Sequence, residues 1–109
     1  MQQLQEDEFE RVVAAATTAV VEFYTDWCPD CRAVEQAYAQ YAQEFPAHFS
    51  RINADEAKTV AGRLGVKGIP TFLVFREGRE VARLPSRDAK TPTAVRRFLA
   101  AHLDEGGSL

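Results

Sequence analysis

Two cysteines, Cys28 and Cys31, stand in the stretch Trp27-Cys28-Pro29-Asp30-Cys31. A pair so spaced suits reversible disulfide exchange, half of a zinc site, or a small structural bridge. Structural zinc takes four ligands, and the other soft or imidazole candidates are His48 and His102, with no second Cys-x-x-Cys. A metal is therefore not expected. A purely structural bridge closing so short a loop would constrain the unfolded chain little. Redox exchange is the reading the residues favour, and it depends on where the pair sits.

The flanking elements place it. Ala19 to Tyr24 is a run of β-branched and aromatic residues, the pattern of a strand buried on both faces. From Pro29 to about Phe45 the apolar positions Val34, Ala37, Tyr38, Tyr41 and Phe45 recur at helical spacing. The cysteines thus fall where a buried strand turns into a helix, the edge at which open α/β sheets place their sites. Cys28 would meet the unpaired N–H groups and positive dipole of the helix start, with Cys31 one turn further in. Side chains three apart on a helix lie about 5–6 Å apart at Cβ, near disulfide range. Cys28 is then the exposed nucleophile with a lowered pKa, and Cys31 the buried thiol that resolves the mixed disulfide.

Further along, Phe49 to Asn53 reads as a strand and Asp55 to Leu64 as a short helix capped by Gly65. Ile69 to Phe75 and Glu80 to Leu84 read as an antiparallel hairpin turning at Glu77-Gly78. Thr91-Pro92 opens a last helix with Val95, Phe98, Leu99 and Leu103 on its apolar face, ended by Gly106-Gly107. Before all of these come an uncertain edge strand at Gln2 to Gln5 and a helix over Asp7 to Ala16. The order predicts an α/β fold with a mixed central sheet, since strands joined through a helix pair in parallel.

A chain of 109 residues with 46% hydrophobic residues forms one domain, 1–109, with loosely ordered ends at 1–6 and 105–109. A net charge of −3 gives no basic footprint for nucleic acid, which is not expected as a partner. No run approaches the roughly 20 apolar residues of a membrane span, and no secretory leader is visible, so a cytoplasmic monomer is expected. In a reducing cytosol a lone cysteine pair is more often catalytic or metal-binding than structural.

Val20 to Cys31, Arg51-Ile52-Asn53-Ala54-Asp55, Gly68-Ile69-Pro70-Thr71-Phe72 and the Glu77-Gly78 hairpin together resemble the thioredoxin family, from about Phe9 to Leu103. The resemblance implies the thioredoxin fold, a mixed central β-sheet flanked by helices. It also implies thiol–disulfide exchange through a redox-active disulfide with no bound cofactor. The partners implied are disulfide-containing client proteins or small disulfides and a flavin- and NADPH-dependent recycling reductase. Pro70 matches the family's cis-proline, which with its neighbours Ile69 and Thr71 contacts the extended substrate backbone. Gly68 and Ile69 would form an accessible apolar lip of that groove, and Trp27 its rim. Tyr24 and Tyr38 are assigned to the core or its edge.

Glu22 falls where the family carries a buried Asp beneath the resolving cysteine. A lone acid in an apolar strand should have a raised pKa and could carry the proton for Cys31, unless it merely sits at an exposed strand end. Arg51 takes the place of a family lysine near that acid and would hold it more firmly ionised, or is a surface residue of its strand.

Two further departures stand out. Pro29 and Asp30 replace the usual Gly-Pro between the cysteines. Pro29 suits a first helical position, whereas the charge of Asp30 opposes a thiolate at Cys28 and so favours the disulfide, predicting a reductant. The usual glycine after the hairpin is missing, with Leu84-Pro85-Ser86-Arg87 in that region, so the client surface should differ. A redox-inert or redox-sensing binding module, and an oxidase or isomerase of exported proteins, are the alternatives to a disulfide reductase.

Overall fold

The computed structural model of the chain describes residues 1–103. Five strands and four α-helices follow in order: β1 (Gln2–Leu4), α1 (Phe9–Ala15), β2 (Thr18–Tyr24), α2 (Pro29–Glu44), β3 (His48–Asn53), α3 (Lys58–Arg63), β4 (Thr71–Arg76), β5 (Arg79–Leu84) and α4 (Pro92–His102). The sheet order is β1-β3-β2-β4-β5. β2 pairs in parallel with β3, as the crossover through α2 demands, while β4 and β5 run antiparallel. The mixed sheet is the one expected.

Strand alternation sorts the side chains into two cores. Val20, Phe72 and Val74 face α2 and α4, packing on Val34, Tyr38, Val95 and Leu99. Ala19, Val21, Phe23, Leu73 and Phe75 face the other way, onto Phe9, Val13 and Val60. By the period of two, Glu22 shares the face of Val20, under α2. α4 starts as predicted, with Thr91 Oγ1 accepting from Ala94 N–H at 3.1 Å and Pro92 at the first helical position. At the hairpin, Glu77 and Gly78 both take positive φ, +52° and +81°, the pattern of a two-residue type I′ turn.

Three expectations are corrected. Residues 1–6 are not a loose end: β1 pairs with β3, Leu4 is buried, and Glu6 Oε2 accepts from Val60 N–H at 2.8 Å, capping α3 from a distance. The helix expected over Asp55 to Leu64 is limited to Lys58–Arg63, because Asn53 takes the N–H groups of Asp55 and Glu56 and holds a turn there. The strand expected from Ile69 begins at Thr71, since Pro70 has no N–H to give a ladder. Gly65 does take the positive φ (+70°) of a helix cap. The expected stop at Gly106-Gly107 and the loose end at 105–109 lie outside the described residues.

Candidate active site

Pro29 opens α2 with its φ already set, leaving Cys28 as the residue that caps the helix. Cys28 Sγ accepts a hydrogen bond from Cys31 N–H at 3.1 Å. The two cysteines are joined in a disulfide, with Cα atoms 5.2 Å apart. Cys28 was expected to be exposed and is not: Cys28 is 4% and Cys31 2% exposed. Tyr24 and Ile69 pack against the pair and cover it. The residue that stands out is Trp27, 65% exposed, whose orientation is held by donation from Nε1 to Asp55 Oδ2 at 2.8 Å. A large ring fixed in that way offers contact area at little entropic cost.

Across from the cysteines the Ile69-Pro70 peptide is cis. The Ile69 carbonyl oxygen lies 3.8 Å from Cys28 Sγ, so the lip and the redox pair are neighbours in space although 41 residues apart. Thr71 Oγ1 donates to the Gly68 carbonyl at 2.6 Å, which fixes the turn leading into β4. Gly68 and Ile69 are half-buried, while Pro70 and Thr71 are buried. A Cβ on Gly68 would overlap Ser86 Oγ and come within 3.1 Å of Ser86 Cβ. Gly68→Ala is therefore expected to lose about 1 kcal/mol of stability in a denaturant melt, the low end of overpacking because a serine can rotate. Adding Ser86→Gly should recover most of that loss.

Glu22 is fully buried, so it is not at an exposed strand end. The parallel register sets Glu22 opposite Arg51, and Arg51 Nε donates to Glu22 Oε1 at 3.2 Å. Arg51 is not a free surface residue: it also donates to Glu35 Oε2 at 3.2 Å and stacks 3.8 Å over the Tyr24 ring. Burial pushes the Glu22 carboxyl from its ordinary 4.5 to about 7, against the opposing pull of the Arg51 charge and hydrogen bond. Arg51 thus acts in the direction expected, but desolvation outweighs it. Glu22 Oε2 is buried without a hydrogen-bond partner among the described residues. Cys31, Tyr24, Glu35 and Arg51 line one polar pocket of about 160 Å³, which connects the inner cysteine to the guanidinium that holds Glu22. Tyr24, assigned to the core or its edge, is buried and is also a wall of this site.

Asp30 is not an isolated charge, because Lys90 Nζ sits 2.9 Å from its Oδ2. Lys90, Asp55 and Glu35 were given no role at the site from the sequence, Asp55 entering only as part of the Arg51-to-Asp55 stretch and as the start of the expected short helix. The partners of the first two lie 60 and 28 residues away, where no local pattern reports them. Glu35 is different, since it follows Cys31 by one helical turn and shares its face. Among the described residues, no group of three or more His, Cys, Asp or Glu could hold a metal ion, and no helix is long and apolar enough to cross a membrane.

Compared with known proteins, the chain is 31% identical to thioredoxin-1 of Saccharomyces cerevisiae over 87% of its own length and 90% of that protein. It is 38% identical to a Neurospora crassa thioredoxin over 69% of its own length, a match spanning 62% of that relative, less than two thirds. The crystal structure of Chlamydomonas reinhardtii thioredoxin f2 superposes with a TM-score of 0.83 at 26% identity, covering 94% of this chain and 95% of that one. The family model Thioredoxin matches residues 1–101, from the first strand through nearly all of α4. With the disulfide at the strand-to-helix turn and the cis-proline lip beside it, this match means that the chain belongs to the thioredoxin family, as a thiol–disulfide oxidoreductase whose redox group is Cys28–Cys31.

Proposed function

We propose that the protein works as a reductant of protein or small-molecule disulfides. In this reading the Cys28 thiolate attacks a client sulfur and the first client thiolate leaves. The Cys31 thiolate then attacks Cys28 Sγ, closing the Cys28–Cys31 disulfide and releasing the second client thiolate, so two electrons pass to the client. The observation that carries the order of attack is the Cys31 N–H aimed at Cys28 Sγ at the start of α2, which stabilises negative charge on Cys28 and not on Cys31. Glu22, through the pocket shared by Arg51 and Cys31, takes the Cys31 proton. Trp27, Gly68, Ile69, Pro70 and Thr71 hold the extended client segment, Pro29 sets the helix start, and Asp30 and Arg51 tune the acids and thiols.

Asp30 favours the disulfide over the dithiolate, and the nearby Lys90 offsets part of its charge. The potential then stays near the reducing end of the family range, about −270 mV. A flavin- and NADPH-dependent reductase recycles the protein, which acts as a single-domain monomer in the cytoplasm. Equilibration with glutathione redox buffers tests the direction of electron flow. A potential above about −200 mV would overturn the reductant reading in favour of an oxidase. Disulfide reduction no faster than that of Cys28→Ser would favour a binding module instead.

A further inference from the structure

The Gly68-Ile69 lip has a pocket on each side. Toward Trp27 lies one of about 160 Å³, lined mostly by apolar surface with Asp55 engaged on the indole N–H. On the other side, a pocket of about 220 Å³ is bordered by Lys67, Gly68, Thr71, Arg83, Ser86 and Arg87. Its lining contains three cations and no acid, in a chain whose net charge is −3. The three are not equivalent. Arg83 is held by Glu80 at 2.7 and 2.8 Å and by donation to the Leu64 carbonyl at 2.7 Å, so it is part of the wall. Arg87 is 81% exposed and only loosely paired, 3.8 Å from Asp88, which is itself exposed. Lys67 is exposed, with no ion pair among the described residues, and borders both pockets.

Position connects this cluster to the chemistry. The Ile69 carbonyl is 3.8 Å from Cys28 Sγ, and Gly68 is one Cα step, about 3.8 Å, further on. A client cysteine bonded to Cys28 would therefore bring the side chain about two residues away over the Lys67–Arg87 pocket, at about 3.4 Å per extended residue. The turn that closes this pocket is Pro85-Ser86-Arg87, the segment that departs from the family's glycine, and Ser86 seats it directly against Gly68.

We propose that the pocket between Gly68 and the Ser86-Arg87 turn is a client subsite for a carboxylate side chain. Disulfides with Asp or Glu close to the attacked cysteine are then the preferred substrates. The inference rests on the exchange reading above and deepens it by naming a substrate class. Because Lys67 and Arg87 are both solvated, their contribution is screened and shows mainly in the rate of productive encounter.

The test uses the reduced protein and three disulfide-bonded peptides identical except for Glu, Gln or Lys two residues from the cysteine. Second-order rates of thiol release are measured by acid quench at about 0.01 M and about 1 M salt. The Glu peptide is expected to react faster than the Lys peptide at low salt, by about fivefold per exposed pair at most, with the difference lost at high salt. In the Lys67→Gln/Arg87→Gln double variant the ranking should collapse while the Gln peptide keeps its rate, and Arg87→Glu should reverse the ranking. Rates independent of peptide charge, or a ranking unchanged in the double variant, would overturn the subsite while exchange itself proceeds. Failure of all three peptides to react would overturn both the subsite and the exchange reading beneath it.

Discussion

Cys31→Ser, mixed in its reduced form with a disulfide client, should accumulate a mixed disulfide on Cys28, and Cys28→Ser should accumulate none. Either substitution should lower the exchange rate by about a thousandfold or more, since nucleophile and resolver act as one unit. The asymmetry between the variants follows from the start of α2. Cys28 caps the helix and receives the Cys31 N–H at 3.1 Å, an interaction made by the backbone that survives a side-chain change at position 31. The serine placed there cannot attack Cys28 Sγ as a thiolate would, so the covalent complex persists. Among the described residues no hydrogen bond reaches Cys31 Sγ, and both cysteines are buried with Tyr24 and Ile69 packed against them. The measurement is the mass of the complex and the identity of its linked cysteine after proteolysis. Trapping on Cys31 in the Cys28→Ser variant would reverse the assigned roles.

How much of this site could be read beforehand depended on how far its interactions reach along the chain. The pattern from Ala19 to Tyr24 and the helical repeat from Val34 to Phe45 are local, so the strand-to-helix turn carrying Cys28 and Cys31 was legible. Glu22 was legible for the same reason, as one acid in an apolar run whose alternation aims it under α2. β1 was less so, because Gln2 and Gln3 carry no strand pattern; pairing with β3 and the burial of Leu4 supply the order. The exposure of Cys28 was misjudged because its cover comes from Ile69, brought across by the cis-proline turn. Lys90 beside Asp30 and Asp55 beneath Trp27 depend on chain segments that meet only in the fold. The charge of Asp30 was therefore read without its partner Lys90. Residue types announced the chemistry, whereas the neighbours that tune it were set by topology.

Glu22→Gln should make the protein more stable at pH 8 and slower in exchange, and the two effects have one cause. The folded carboxyl titrates at about 7 and the unfolded one at 4.5, because burial disfavours the charge more than Arg51 favours it. Between these values the native state holds more protons than the unfolded chain, so stability falls as pH rises. The favourable contribution is complete below about 4.5 and lost above about 7. At about 1.4 kcal/mol per pH unit, this interval amounts to roughly 3–4 kcal/mol at most. A glutamine keeps the shape of the neutral acid and cannot ionise, and Arg51 retains Glu35 at 3.2 Å, so no buried cation is orphaned. Denaturant melts of parent and variant should coincide near pH 4 and diverge in favour of the variant as pH rises toward 8. In the proposed exchange the same substitution removes the acceptor assigned to the Cys31 proton, so resolution of the mixed disulfide at pH 7 should slow by about a hundredfold. A stability gain with unchanged resolution would reduce Glu22 to a buried charge without a part in proton transfer. Slower resolution with no divergence in the melts would mean that Glu22 is already ionised at neutral pH, held so by Arg51. Both effects together would identify the stability given up above pH 7 as the cost of keeping a proton acceptor beneath Cys31.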